Sequence, residues 1–296
     1  MENIDIMENE IEEVKLEEIN VESMEEPSLV KDYFVKDGSA SKTDLASLFG
    51  QSEMELQKEF GSYKAKKIYK RLNVFIDGST LLKDEIVSKL KLATKYGFYG
   101  ASVFLRHVAL AKSYLRGSGV KVRALVGYPF GLDDYKTTKC ALKQAVEKGA
   151  DEVILQIPSY SVKNGELKEL TKTVKKLQKY LRKKPLILSL DASTLSLSEL
   201  ESGVNALSVL DVSSINITMP SGIDKNIIEN VVSSVAGREN VEYYSDICSA
   251  EDAVSVLLSG INVLTTPSCE NVVLDLNKKI NTAGCQATES VDKTRE

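Results

Sequence analysis

Three aspartates in or near strand-like apolar runs are the residues with the clearest potential for chemistry. Asp77 ends the first run, Asp191 ends the fifth, and Asp246 lies within the seventh. Carboxylates are preferred ligands of hard cations such as Mg²⁺, which can polarise a carbonyl group. The three side chains could therefore converge as a carboxylate cluster. We favour the simpler interpretation, in which they are acids bonded to their own loops, and predict no metal site.

Cysteine and histidine offer little further chemistry. The four cysteines form no CxxC pair and His107 is the single histidine, so a Cys/His zinc site is not expected. The first apolar run leads into Asp77-Gly78-Ser79-Thr80 rather than a glycine-rich GxGxxG turn, which argues against a dinucleotide site. No cofactor is predicted.

The elements that must position these residues alternate along the chain. Short apolar runs typical of buried parallel strands are separated by amphipathic segments typical of helices. The eight predicted strands are Leu72–Asp77, Ala101–Leu105, Lys121–Gly127, Glu152–Pro158, Pro185–Asp191, Ser214–Met219, Val241–Ile247 and Ile261–Thr266. The predicted helices are Leu81–Tyr96, His107–Arg116, Tyr135–Lys148, Gly165–Lys183, Ser196–Leu210, Lys225–Ala236, Ala250–Leu258 and Val272–Ile280.

Eight strand–helix units predict an α/β fold, a single (β/α)8 TIM barrel over residues 72–283. A helical extension precedes it at 41–71, where Ser41 to Asp44 supply helix-capping side chains. Residues 1–40 are predicted to be a mostly disordered acidic arm, because they hold 13 Asp/Glu against 3 Lys/Arg. Residues 284–296 are predicted to be a flexible tail.

Composition excludes several classes of function. The formal net charge is −5, and no basic stripe of the kind that binds nucleic acid is present. No run approaches the length of a membrane span, and the acidic N-terminus does not resemble a secretory signal. A reduced, cytoplasmic location is the expectation.

Four motifs in order resemble the deoxyribose-phosphate aldolase family, a family of barrel aldolases that form a Schiff base through lysine. The first strand ends in Ile76-Asp77-Gly78-Ser79-Thr80-Leu81-Leu82-Lys83, close to that family's Ile-Asp-His-Thr-Leu-Leu-Lys with one residue inserted. Segments 117–131 and 149–153 are similar to the third-strand signature and the entry to the fourth strand. Segment 249–253 is similar to the start of the seventh helix.

The resemblance implies where catalytic residues would lie, and most of those positions are changed. The Schiff-base lysine falls on Thr218, or on Ile217 in a gapped alignment. The second active-site lysine falls on Glu242 or on its neighbours Val241 and Tyr243. Asp77 alone is retained as a polar match, and Asp191 lies roughly where the family has a glutamate. The family's strand-four aspartate, strand-five lysine and strand-two cysteine correspond to Ile154, Ile187 and Phe104.

The phosphate-binding site implied by the resemblance is also altered. The family's paired glycines after strand seven become Ser245-Asp246, and the glycine of strand eight becomes Leu264. Ser221-Gly222 keeps a fragment of the phosphate site. Bulk and negative charge at this place would oppose a phosphate, which such barrels bind through backbone N–H groups.

These changes predict a catalytically inactive member of the fold, a pseudoenzyme that acts as a protein-binding, scaffold or regulatory module. Its protein partner is unknown; candidate surfaces are the acidic arm, the altered barrel mouth and the tail, and a homodimer is a further expectation. The alternative is an active lyase acting on aldol substrates like 2-deoxyribose 5-phosphate, through a relocated lysine or a carboxylate-bound metal. Lys83 and Lys225 are the candidates for relocation.

Overall fold

A computed structural model describes residues 62–219, 224–235 and 240–279. Eight parallel strands close into a barrel in their chain order, each strand pairing with the next and β1 pairing with β8. The predicted (β/α)8 barrel is therefore confirmed. The strands are β1 Leu72–Ile76, β2 Gly100–Phe104, β3 Lys121–Val126, β4 Glu152–Ile157, β5 Leu186–Asp191, β6 Ser214–Thr218, β7 Asn240–Tyr244 and β8 Val263–Thr266.

Helices connect successive strands and cover the outside of the barrel. They are α1 Ser62–Tyr69, α2 Lys83–Tyr96, α3 Val108–Tyr114, α4 Tyr135–Glu147, α5 Ser159–Lys163, α6 Leu167–Gln178, α7 Leu197–Leu207, α8 Lys225–Val235, α9 Ala250–Leu258 and α10 269–279. Side-chain caps mark where several of them begin. The Ser196 hydroxyl accepts from the backbone N–H of Glu199 at α7, and the Glu199 carboxylate reaches back to the Ser196 N–H.

The strands carry two different cores on their two faces. Alternate residues such as Val74 and Ile76 point outward and belong to the large apolar core shared with the helices. The residues between them point into the barrel. Phe75, for example, belongs to a separate small cluster inside the barrel near its mouth, the end formed by the carboxyl ends of the strands.

The structure differs from the predicted elements at several places, among them α5, α6 and β7. A short helix, α5, follows β4 and was not predicted; it ends before Gly165, which adopts a positive φ of 68°. Helix α6 ends at Gln178 rather than Lys183. Arg182 and Lys183 both have positive φ, so the helix could not have extended to the predicted end. Strand β7 ends at Tyr244, since the chain then turns and the Ile247 N–H donates to the Ser245 carbonyl.

Some predicted segments lie outside the described residues. The acidic arm at 1–40 and the tail at 284–296 are among them, and of the 41–71 extension the structure describes the part that contains α1. Within the described part of the chain, no helix combines the length and the apolar character that a membrane crossing requires.

Candidate functional site

Two of the three mouth aspartates are satisfied by their own loops. The Asp77 Oδ1 atom accepts hydrogen bonds from the Ser79 N–H at 3.0 Å and the Ser79 hydroxyl at 2.6 Å. Asp191 repeats this geometry with Ser193, at 2.9 Å from the N–H and 2.6 Å from the hydroxyl. Each carboxylate therefore stabilises a turn at the end of its strand.

The third aspartate, Asp246, is exposed and accepts from the Ser268 hydroxyl at 2.9 Å. Among the residues that the structure describes, no three His, Cys, Asp or Glu side chains come together in a way that could hold a metal ion. The hypothesis of a carboxylate cluster at Asp77, Asp191 and Asp246 that binds a cation is therefore not supported by their placement.

Four aromatic rings pack together inside the barrel below these acids. The Phe75 ring lies at the centre, with centroid distances of 5.1 Å to Tyr244, 5.3 Å to Tyr128 and 6.4 Å to Phe104. Phe104 and Tyr128 also meet each other at 5.8 Å. These separations are typical of edge-to-face and tilted aromatic pairs in direct contact. The rings therefore fill part of the barrel interior near the mouth.

Three aliphatic side chains complete this packing, and we call the seven residues the mouth cluster. Two of them, Ile154 and Ile187, occupy positions where the resemblance implies a catalytic aspartate and lysine. Phe104, one of the four rings, occupies the position where the resemblance implies the family's strand-two cysteine. The mouth cluster consists of Phe75, Phe104, Leu125, Tyr128, Ile154, Ile187 and Tyr244.

The two tyrosine hydroxyls of the mouth cluster are hydrogen-bonded to each other and stay neutral. Burial raises the pKa of Tyr128, and the nearby carboxylates of Asp77 and Asp191 raise it further, while the bond from Tyr244 partly offsets this. Burial, Tyr128 and then Asp246 raise the pKa of Tyr244 well above its ordinary value. The mouth is therefore an apolar floor beneath negative charges.

The two candidate positions for the Schiff-base lysine face opposite ways. Ile217 belongs to the outer core between strands and helices. Thr218 belongs to the inward set, where its hydroxyl lies 3.0 Å from the Ser189 hydroxyl and 3.2 Å from the amide nitrogen of Asn216. Thr218 is therefore the residue of β6 that occupies the inward position next to the mouth.

The position implied for the second lysine, Glu242, is buried inside the barrel and paired with an arginine from β3. The Arg123 Nη2 atom donates to both Glu242 carboxylate oxygens at 2.7 and 2.6 Å, and the Ser214 hydroxyl donates to Glu242 at 2.6 Å. Both charged side chains are almost fully excluded from solvent. A negative charge with its own buried counter-ion thus lies at the position where the resemblance places the family's second lysine.

Arg123 also contacts a second carboxylate, Glu152, through its Nε atom at 3.0 Å. Burial by itself would lower the pKa of Arg123, but the two carboxylates outweigh burial and hold this pKa above its ordinary value. Glu152 in turn accepts from Tyr99 and Lys121. We call Tyr99, Lys121, Arg123, Glu152, Ser214 and Glu242 the interior charge network.

Lys121 brings an ammonium group to the barrel, at the end opposite to the mouth. It is the first residue of β3, whereas the mouth lies at the strand carboxyl ends. Burial would lower its pKa, but the bonds to Glu152 and Tyr99 raise it above the ordinary value, so the amine stays protonated. Lys83, a candidate for relocation, is exposed to solvent.

The implied phosphate site is only partly described. Ser221 and Gly222 lie outside the described residues. The expectation that Leu264 adds bulk at this site is wrong, because its side chain packs in the outer core against the helices. Inward and outward residues alternate along β8, and position 264 is an outward one. Asp246, the other position expected to oppose a phosphate, is exposed.

His107, the residue just before α3, contacts a loop at the mouth of the barrel. Its ring packs directly over Gly78 in the β1–α2 loop, and a Cβ atom added at Gly78 would come within 2.5 Å of the ring. Such a separation is shorter than any tolerated contact, so the glycine allows the ring to close over the loop.

Substituting Gly78 by alanine is therefore expected to displace the His107 ring and to lower the free energy of unfolding by about 1 kcal/mol or less, because the clashing atoms are the end of a half-exposed side chain that can rotate away. Denaturant unfolding measures this change. In a His107→Ala background the same glycine substitution should lose most of its penalty, since the clashing ring is absent. An equal penalty in both backgrounds would contradict the contact.

Sequence patterns could have indicated the interior charge network, but the prediction missed it. Arg123, Glu152 and Glu242 stand in strands that are otherwise mostly apolar, at positions that share the inward face. A charge inside a buried strand signals a paired partner. The partner itself depends on how the barrel closes.

The closed parallel barrel, with its loops and acids at the carboxyl ends of the strands, defines the chain as a (β/α)8-barrel protein. No protein-family model matches it. It is 36% identical to deoxyribose-phosphate aldolase of Streptococcus pneumoniae serotype 19F (strain G54) over 101 residues, 33% of this chain and 46% of the relative. The match thus spans about half the length of that relative. The corresponding enzyme of Thermococcus gammatolerans is 26% identical over 199 residues, 64% of this chain and 88% of the relative.

Solved structures agree on the fold. Deoxyribose phosphate aldolase from Aeropyrum pernix, described as tetrameric, superposes with a TM-score of 0.64 at 17% identity, covering 77% of this chain and 99% of that one. The aldolase QR15 gives a TM-score of 0.65 at 21% identity, covering 72% and 96%. In sequence the chain is similar to deoxyribose-phosphate aldolases, as its motifs predicted, and it shares their barrel fold.

Proposed function

We propose that this chain is a deoxyribose-phosphate aldolase-like protein that does not catalyse aldol cleavage and acts through contacts with another protein. The observation that carries the proposal is the side chain at the inward end of β6. Thr218 occupies that position and is hydrogen-bonded to Ser189. A hydroxyl cannot form the iminium that serves as the electron sink in a lysine-dependent aldolase.

Two further observations support the proposal. A reactive lysine needs a lowered pKa, which a neighbouring cation can provide, whereas Glu242 offers a buried anion already paired with Arg123. The mouth cluster also fills the space above these residues with rings and aliphatic side chains. Nucleophile, electrostatic environment and substrate space are changed together, so replacing a single residue would not restore the chemistry.

The proposal extends to setting and assembly. We place the protein in the cytoplasm and expect it to form a homodimer. The tetrameric relative from Aeropyrum pernix indicates that this fold can assemble. Sedimentation velocity measures the oligomeric state, and a monomer over the working concentration range would contradict the dimer.

Borohydride trapping tests the lack of covalent chemistry. The full chain is incubated with deoxyribose 5-phosphate and sodium borohydride, and its intact mass is measured beside an active deoxyribose-phosphate aldolase as control. We expect the mass of this chain to stay unchanged while the control gains the reduced adduct.

An adduct on this chain would overturn the proposal and favour a relocated amine. Peptide mapping together with the variants Lys83→Arg and Lys225→Arg would then locate the reacting lysine. Lyase turnover without an adduct would instead favour a metal-assisted route, and its loss on adding a chelator would identify the metal.

A further inference from the structure

A small cavity lies beside the mouth, outside the barrel wall, between the β3–α4 loop and helices α4 to α6. Its volume is about 170 Å³. Sites for whole small molecules usually measure about 300–1,000 Å³, so this cavity has room for a single side chain. Its floor is formed by buried aliphatic side chains, namely Leu155, Ile157, Leu170, Val174 and Leu177.

The rim of the cavity is acidic. Asp133, Glu166 and Glu169 line it and are exposed, and every charged residue in the lining is one of these three. Exposed lysines near the cavity in sequence do not line it, namely Lys136, Lys163, Lys168 and Lys172; of these, the Lys172 ammonium group forms a solvent-exposed ion pair with Glu169 at 3.9 Å. An apolar floor with an acidic rim suits an apolar side chain flanked by cations.

Large exposed apolar side chains stand next in sequence to residues that line the cavity, although they do not line it themselves. Phe130 and Leu132 of the β3–α4 loop are each 68% exposed, and Tyr160 of α5 is 57% exposed. The loop is held against the end of β4, since Gly131 lies so close that an added Cβ would meet the Gln156 carbonyl at 2.6 Å. Apolar residues grouped on a fixed loop, rather than scattered singly, mark interaction surfaces.

We propose that the surface formed by Phe130, Leu132, Tyr160 and the cavity binds a polypeptide segment of a partner protein. The segment places one apolar side chain in the cavity and sets lysine or arginine residues beside it against Asp133 and Glu169. This inference rests on the proposed protein-binding function and specifies the chemistry of the partner. A buried apolar anchor supplies most of the affinity, and the rim charges supply orientation and rate of association.

A phage-displayed library of random linear peptides, selected on the full chain, tests the proposal. We expect the enriched peptides to share an apolar or aromatic residue flanked by lysine or arginine. Affinity of a synthetic peptide with that consensus should fall as salt is raised, because exposed charges are screened over about 10 Å at 0.1 M. Enrichment of acidic sequences, or no enrichment, would overturn the proposal.

Matched variants locate the site. Two double variants should each lower the affinity for the peptide by at least about tenfold. They are Phe130→Ser with Leu132→Ser, and Asp133→Lys with Glu169→Lys. Val209→Ser with Leu274→Ser removes two apolar side chains that are 65% and 55% exposed elsewhere, and Glu147→Lys changes a distant exposed acid. These controls should leave affinity within about twofold. Equal affinity in all variants would contradict the location.

Two other results would also contradict it. If sedimentation shows that Phe130→Ser, Leu132→Ser dissolves a dimer of the free chain, the occupant is a second copy of this protein. If deoxyribose 5-phosphate displaces the peptide, the surface belongs to a substrate site. Failure of the peptide experiment leaves the borohydride result untouched, so the docking surface and the loss of catalysis are tested separately.

Discussion

Replacing Arg123 with methionine is expected to lower the free energy of unfolding by about 3–5 kcal/mol, the typical cost of leaving a buried charge unpaired. Glu242 and Glu152 are both buried and both contact this guanidinium. Without it, two carboxylates remain inside the barrel with only Lys121 near one of them. Urea denaturation followed by circular dichroism measures the change.

Two controls separate burial from charge. Lys121→Met also removes a partner of Glu152, but the lysine side chain is 41% exposed, so we expect a loss of only about 0–1 kcal/mol. Adding Glu242→Met to Arg123→Met removes the unpaired anion and should recover much of the lost stability. A cost for Arg123→Met no larger than that for Lys121→Met would show that the interior charge network does not hold the barrel.

Replacing Phe75 with alanine is the second large change, with an expected loss of about 3–5 kcal/mol. Its ring is buried and touches three other rings of the mouth cluster, so truncation leaves a cavity that the neighbouring strands cannot collapse to fill. Thermal unfolding monitored by near-ultraviolet circular dichroism reports both the stability and the packing of the aromatic side chains.

Phe130→Ala is the matched control, since it removes the same ring from an exposed loop position. We expect this variant to change stability by no more than about 0.5 kcal/mol. Similar losses for the two phenylalanines would mean that the mouth cluster is not a packed unit. The proposal that the mouth cluster fills the barrel mouth would then lose one supporting observation.

The interior of the barrel is divided along its axis, and this division bears on function. Arg123 of β3 lies beside Ser102 of β2 and Glu152 of β4 in the sheet register. Two residues further along β3, Leu125 lies beside Phe104 and Ile154. On β2, β3 and β4, charged and polar side chains therefore lie nearer the strand starts, and apolar side chains follow them toward the mouth. In the family's chemistry the reactive groups need a polar, accessible mouth, which is the reason for proposing binding rather than turnover here.

The order and type of the elements were predictable because they rest on local patterns. Apolar strands, amphipathic helices and capping residues such as Ser196 and Asp134 act over a few neighbouring positions, and these are visible in one dimension. Strand starts and ends agree within one to three residues. The short helix α5 escaped prediction because one turn and a half carries too little periodicity to recognise.

The candidate site was predictable only as a set of positions. The sequence alone determined that no lysine stands at 217, 218 or 242, and that the mouth holds the acids Asp77, Asp191 and Asp246. Which way each side chain faces was decided by the register and closure of the sheet. Thr218 points inward and Ile217 outward, and Leu264 points outward, because neighbouring residues of a strand point to opposite faces.

Contacts between side chains across the barrel were determined entirely by the tertiary structure. Arg123 and Glu242 are 119 residues apart in the chain and meet only because β3 and β7 face each other across a closed barrel. The Phe75 ring of β1 meets Tyr244 of β7 because closure of the sheet leaves only β8 between these two strands. Local periodicity carries no information on such contacts, since they depend on the curvature that brings distant strands to one axis.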